Sequence, residues 1–490
     1  MKQPDKISYS RWRSILPWFC FAAAVFASAG FLYRMLWFDE VLTVQLVMNL
    51  PLERIYYAYE IPNNHIVFSL AEKIWFLIVG AIGNFSYYFF RIPPLIFCAA
   101  GIFLLSRRLI RLCGIAAGTV LPLVFGISTT FAIFSTGIRG YALGFFLTVL
   151  IFLQAEKLMR NTKISDYILY FLLAYLAMGT APTNLAATTA VALLFLPKCV
   201  KQKGKYGRLV YLFVSPCVAL LAFYLPVWEK FLGCIRLGEG WINGSSAAYN
   251  LYCSAGFTVC GLLPFCAIGV VLLWKKIPRF RWDILCGLLI LLMPAGVFLI
   301  FKVPPFPRVF FPLCAVWLIV LAVPFGMYLK LMKKNRLLLI LPFVIQGVLC
   351  LFFFQDRTEL AASALFGKDG RNDDFILPYF MRRSFEPHKV LHFLKQHAEN
   401  GGVDFHAFAT FNSDAPSLFF ASTIFPFPEG RLLLDRLNRP KTIRFQDYTG
   451  RKYIVCETPA DLQAAMSRFG FKQVIPLAEF GIQKVYQVIE

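Results

Sequence analysis

The stretch Ile66-Val67-Phe68-Ser69-Leu70-Ala71-Glu72-Lys73-Ile74-Trp75-Phe76-Leu77-Ile78-Val79-Gly80-Ala81-Ile82 decides how this chain is threaded. It is apolar enough to enter a lipid bilayer, yet it carries an acid and a base at its centre. Ionisable groups in mid-membrane are costly and rare. Around it, apolar runs fall near 15–33, 92–105, 114–134, 141–155, 167–181, 184–197, 209–227, 251–274, 284–301, 309–328 and 337–354, about eleven candidate spans by length. Counting loop charges settles whether 66–82 is a twelfth. If it does not cross, the basic clusters at 107–111, 157–163, 198–208, 275–281 and 330–336 all share the side of the basic N-terminus. If it crosses, they all leave that side, against the positive-inside bias. The stretch therefore reads as an amphipathic segment lying at the outer face.

Composition agrees with this threading. The 490 residues are 58% hydrophobic with 52 Phe and a mean hydropathy of +0.63, more apolar surface than a soluble chain of this length can bury. The net charge of +22 is unevenly placed: residues 355–490 hold 17 basic and 16 acidic side chains, so the excess belongs to residues 1–354. Positive cytoplasmic loops explain that excess, and nucleic acid is not implied as a partner. The 13 Cys form no CxxC pair, and many sit inside apolar runs as small hydrophobes. The first run follows Lys2, Lys6, Arg11 and Arg13 but lacks a convincing cleavage site, so it reads as a retained helix.

The expected fold is a polytopic α-helical membrane protein of about eleven spans, N-terminus in and C-terminus out, with a small extracytoplasmic α/β domain at the C-terminus. Residues 1–354 form the membrane domain and 355–490 the soluble domain. In the latter, 386–399 and 459–469 read as helices, and 403–410, 442–445, 452–456, 473–476 and 483–489 as strands. The expected location is a multi-pass position in a bacterial inner membrane. The longest outer loop, 34–91, opens with Trp37-Phe38-Asp39-Glu40-Val41-Leu42-Thr43 and continues into an amphipathic helix near 41–50. Other outer segments are 135–140, a tight turn near 180–184, 228–250 and 302–308.

Unusual polar residues collect on that outer side. Asp39 and Glu40 close the first span. Asn63-Asn64-His65 precedes 66–82, and Arg91-Ile92-Pro93-Pro94 opens the next span. Ser135-Thr136-Gly137-Ile138-Arg139-Gly140-Tyr141 joins two spans, and Arg308-Val309-Phe310-Phe311-Pro312 opens another. In this order and on this side, the set resembles the bacterial membrane glycosyltransferases of the GT-C type, the group similar to protein mannosyltransferases and aminoarabinose transferases. The resemblance covers most of residues 15–320. It implies transfer of a hexosyl or pentosyl group from a polyprenyl-phosphate donor to a lipid, glycan or protein acceptor, with the first-loop Asp39 as catalytic base or acceptor-orienting carboxylate. The family often has His-Pro-Pro where this chain has His65-Ile66-Val67.

The chemistry asks for such residues on its own account. A carboxylate that takes a proton from an attacking hydroxyl suits Asp39, with Glu40 beside it. Cations and donors stabilise a departing lipid phosphate, a task for Arg139 or Arg308, with His65, Asn64 and Tyr141 as further substrate contacts. No metal site or cofactor is expected; two adjacent acids make a thin cage, and a divalent cation is not favoured.

Each residue has an ordinary reading too. Asp39 and Glu40 can cap the helix that follows, and Asn64 can be a turn residue. Tyr141 can be an interface aromatic, Arg91 a snorkelling span end, and Glu72–Lys73 a local ion balance. The alternative function is a transporter or lipid flippase without transferase activity, but matching halves with paired Gly/Pro-broken spans are not visible.

Overall fold

The computed structural model describes residues 6–33, 36, 38–59, 64–82, 87–160, 163–201, 205–239, 267–271, 281–294, 296, 307–332, 341, 344, 387–399, 404–410, 431–434, 445, 448–480 and 483–489. The chain divides into two compact units, Met1–Tyr33 with Leu46–Leu377, and Arg34–Gln45 with Pro378–Glu490.

The first unit is helical. Its helices are α1 (Lys6–Ser28), α2 (Phe38–Asn49, of which only the end belongs here), α3 (Leu52–Tyr57), α4 (Ile66–Ile82), α5 (Ile92–Cys113), α6 (Ile115–Gly126), α7 (Thr129–Ser135), α8 (Tyr141–Leu158), α9 (Ile164–Thr180), α10 (Asn184–Lys201), α11 (Tyr206–Tyr224), α12 (Trp228–Glu239), α13 (Arg281–Leu291) and α14 (Leu313–Met332). Among the described residues, four helical segments are long and apolar enough to cross a membrane: Phe89–Cys113, Tyr141–Leu158, Tyr206–Ile235 and Leu313–Lys330. The apolar runs expected at 251–274 and 337–354 lie largely outside the described residues.

Three departures from expectation have local causes. The run 114–134 is two helices, because the chain leaves the helix at Ile127 and Ser128 caps the next one, its hydroxyl accepting from Phe131 N at 3.2 Å. The segment 228–250 opens as α12, which buries Phe231 and Cys234 three residues apart on one face. Glu72 and Lys73 do not balance each other, since consecutive helical residues point to different sides. Lys73 Nζ donates to the Val47 carbonyl at 2.8 Å and lies 5.1 Å from the centre of the Phe76 ring. The Glu72 carboxyl is fully buried, and neither oxygen has a hydrogen-bond partner among the described residues.

The helices α8, α9, α10 and α11 alternate in direction, so the bundle has two chemically distinct ends. At one, Arg108 of α5 and Arg160 just past α8 both contact Glu156, and Arg208 at the start of α11 donates to the Leu158 and Met159 carbonyls at 3.2 and 3.1 Å. At the other, the starts of α8, α10 and α14 meet. A Cβ on Gly144 would lie 2.9 Å from both Asn184 Oδ1 and Pro312 Cγ. Eighteen residues separate the ends along α8, about 27 Å at 1.5 Å per residue. Between them, Phe125, Phe131, Phe145 and Phe311 pack with ring centres 5.5–6.5 Å apart.

The second unit contains a five-stranded mixed sheet: β1 (Phe405–Ala409), β2 (Leu432–Leu434), β3 (Arg451–Cys456), β4 (Gln473–Phe480) and β5 (Gln483–Ile489), in the order β2-β1-β3-β5-β4. β1 is parallel to β2 and β3, while β5 is antiparallel to β3 and β4. Alternation along β1 and β3 builds two cores. Phe405, Ala407, Tyr453 and Val455 face α15 (Pro387–Glu399), whereas Phe408, Ile454 and Cys456 face α16 (Pro459–Phe469). The α16 bounds match the Pro and Gly signals that delimit it in sequence, and Thr458 with Asp461 completes a capping box. β2 was not expected, and most of the strand expected at 442–445 lies outside the described residues.

Candidate functional site

The site grows from the segment before α4. Asn64 uses its side chain locally. Its Nδ2 donates to the Ile55 and Ala58 carbonyls at 3.0 and 2.8 Å, finishing α3, and its Oδ1 accepts from Ser69 Oγ at 2.9 Å. The next residue, His65, is the last before α4, and its carbonyl accepts the Ser69 N–H at 2.8 Å. Asn64 thereby anchors the backbone that presents His65. Tyr56 reinforces this anchor by donating to the Phe223 carbonyl, and Tyr59 packs in a core with Phe223, Tyr224 and Phe231.

His65 Nδ1 lies 2.8 Å from the Thr180 carbonyl at the end of α9. A carbonyl only accepts, so Nδ1 carries the proton and Nε2 holds a lone pair. Nε2 is buried without a hydrogen-bond partner among the described residues. Burial first, then the Arg139 charge and more weakly that of Arg308, hold the imidazole well below its usual pKa, with the Thr180 bond opposing. The ring is therefore neutral. Tyr141 meets it edge-on with ring centres 5.0 Å apart, and Arg139 Cζ lies 5.7 Å from the Tyr141 ring centre.

Glycine is required at the closest approach. A Cβ on Gly140 would lie 2.9 Å from Cβ, Cγ and Nδ1 of His65. Arg91, at the start of α5, does not snorkel. It is fully buried and its Nη1 donates to the Thr136 carbonyl at 2.8 Å, which ties α5 to the segment that leads into α8. Asn184 escaped notice in sequence, where it reads as one polar residue of a tight turn. Its Nδ2 donates to the Ala177 carbonyl at 2.7 Å, and its buried Oδ1 has no hydrogen-bond partner among the described residues.

The structure thus brings His65, Arg139 and Tyr141 together, with Arg308 in electrostatic reach of the imidazole. The starts of α5, α8, α10 and α14 share this end, and each contributes partial positive charge. Guanidinium groups and helix N-termini together suit an anion such as a phosphate. The Nε2 lone pair suits a hydroxyl.

Asp39 and Glu40 belong to the other unit. They occupy the first turn of α2 instead of preceding it, where carboxylates favour the helix dipole. Both are buried, and Thr43 Oγ1 donates back to the Asp39 carbonyl at 3.0 Å. Among the described residues, no group of three or more His, Cys, Asp or Glu side chains could hold a metal ion.

No protein-family model matches this chain, and no curated protein matches it.

Proposed function

We propose that this protein is a multi-pass membrane glycosyltransferase of the GT-C type, moving a sugar from a polyprenyl-phosphate donor to an envelope acceptor at the outer face. The observation that carries the reading is the buried His65, held by the Thr180 carbonyl and meeting Tyr141 edge-on next to Arg139, at an end of the bundle where several helices begin. In this mechanism Arg139 and Arg308 take the donor phosphate and stabilise its charge as the bond to the sugar breaks. His65 Nε2 accepts a hydrogen bond from a substrate hydroxyl, and Tyr141 fixes the imidazole plane. Asp39 takes the proton of the attacking acceptor hydroxyl, so that the sugar is handed over in one displacement. Asp39 enters on its sequence position at the outer end of the first span, and Glu40 orients it.

The absence of prolines after His65 is compatible with this reading. Ile66 holds the first helical position, which proline also tolerates, so either residue starts α4 at the same place. The full topology proposed is about eleven spans, with the His65 end outside.

The test is a mass-spectrometric comparison of glycolipids and envelope glycans from cells with and without the protein. A lipid-linked sugar should accumulate and a glycosylated product should vanish. Asp39→Asn should reproduce that pattern while the protein still inserts and accumulates at wild-type level. Normal product made by Asp39→Asn removes the carboxylate from the mechanism. Unchanged glycans in cells without the protein, with substrate translocation by the purified protein, favour a transporter.

A further inference from the structure

The end of the bundle remote from His65 carries a cluster of cations that the transfer reaction does not use. Arg108 and Arg160, from different helices, share one carboxylate, Glu156. Arg160 and Lys205 both act electrostatically on Lys198 at the end of α10. Lys198 and Lys205 have no ion-pair partner among the described residues. Nearby cations are already occupied. Lys157 pairs with Asp166 at 2.6 Å, and Arg208 donates to the carbonyls that end α8.

Arg108 and Arg160 crowd onto one carboxylate, and Arg160, Lys198 and Lys205 repel one another. Exposed lysines normally splay apart, yet Lys205 is only half-exposed. An external anion relieves that repulsion. The position selects the anion. The cluster lies at the far end of α8, about 27 Å from the His65 end along the helix, close to the roughly 30 Å of a hydrocarbon core. It therefore falls at headgroup depth, where basic pockets between helices meet lipid phosphates.

We propose that Arg108, Arg160, Lys198 and Lys205 form a binding site for the phosphate headgroup of an anionic membrane lipid, which holds the ends of α5, α8, α10 and α11 together. The proposal rests on membrane insertion and not on the transferase reading.

The test uses the full-length protein in nanodiscs of phosphatidylcholine, with or without phosphatidylglycerol, and native mass spectrometry of the lipids retained. Phosphatidylglycerol should be retained selectively and should raise the thermal unfolding temperature. The double variant Lys198→Gln/Lys205→Gln should unfold as wild type does in phosphatidylcholine but bind phosphatidylglycerol ~30-fold more weakly, about 5-fold per lysine. Arg107→Gln/Lys163→Gln removes the same charge from exposed positions at that end and should leave retention unchanged. Equal loss in both double variants would reduce the effect to bulk charge and overturn the site. Stabilisation by millimolar inorganic phosphate equal to that by the lipid would overturn the lipid assignment.

Discussion

His65 shows how one residue can be read at the level of a proton. Its Nδ1–H is committed to Thr180, and its neutral state is enforced by burial and the two arginines. An unfolded histidine titrates near about pH 6.5. As pH falls below that value, the unfolded chain takes up a proton that the folded site refuses, so stability falls until the folded imidazole also protonates. Above about pH 6.5 the contribution is complete. Subtracting the His65→Asn profile from that of wild type should show an extra loss of at most about 1.4 kcal/mol per pH unit on acidification. Asparagine can still donate to Thr180 but cannot titrate. Chemical denaturation in detergent between pH 7.5 and 5 measures the difference, and parallel profiles would deny the neutral buried imidazole. Glu72 poses the opposite case. Its carboxyl is buried without a hydrogen-bond partner among the described residues, so Glu72→Met should stabilise the protein by about 1–3 kcal/mol. An unfolding temperature that stays equal or drops would mean the carboxyl is satisfied in the folded protein.

Elements meet at the site through glycine. Gly140 and Gly144 lie one turn apart at the start of α8, Gly140 against His65 and Gly144 against Asn184 and Pro312. Gly140→Ala should cost about 1–3 kcal/mol, because the new methyl meets the base of the imidazole, which cannot swing away without breaking its Thr180 bond. Thermal unfolding of the variant checks this. In the second unit, α16 depends on its cap, and Thr458→Ala should destabilise the α/β domain by ~1 kcal/mol. These elements differ in how far they could be read from sequence. Helix α16 announces itself through Pro459, Gly470 and its capping box. The break in the run 114–134 is marked only by Gly126 and the polar triplet Ser128-Thr129-Thr130, which longer apolar stretches on both sides outweigh in a count by length. The strand β2 is three residues long, too short for any period to show.

At the scale of the molecule, the ends of the helical bundle are chemically polarised. One end gathers His65, Arg139 and several helix starts, and the other gathers paired and repelling cations. If the cationic end is cytoplasmic, reporters fused at the N-terminus and inserted near residues 161 and 203 should report cytoplasm. A C-terminal reporter should report the opposite side. A cytoplasmic C-terminus would break the proposed threading and reassign 66–82 as a span.

The sequence by itself located the apolar runs that form helices, four of them long enough to cross a membrane, and the α/β character of the C-terminal region. Periodic apolar runs and loop charge are local properties, readable along a chain. Only the tertiary structure decided what each polar group does. It turned Arg91 from a snorkelling end into a buried tie, gave Asn64 to the backbone, left Glu72 without a hydrogen-bond partner among the described residues and brought Asn184 against Gly144. Those outcomes depend on which carbonyl or ring arrives from a distant helix, and burial makes that arrival count, since a polar atom removed from water must find its partner in the fold or go without.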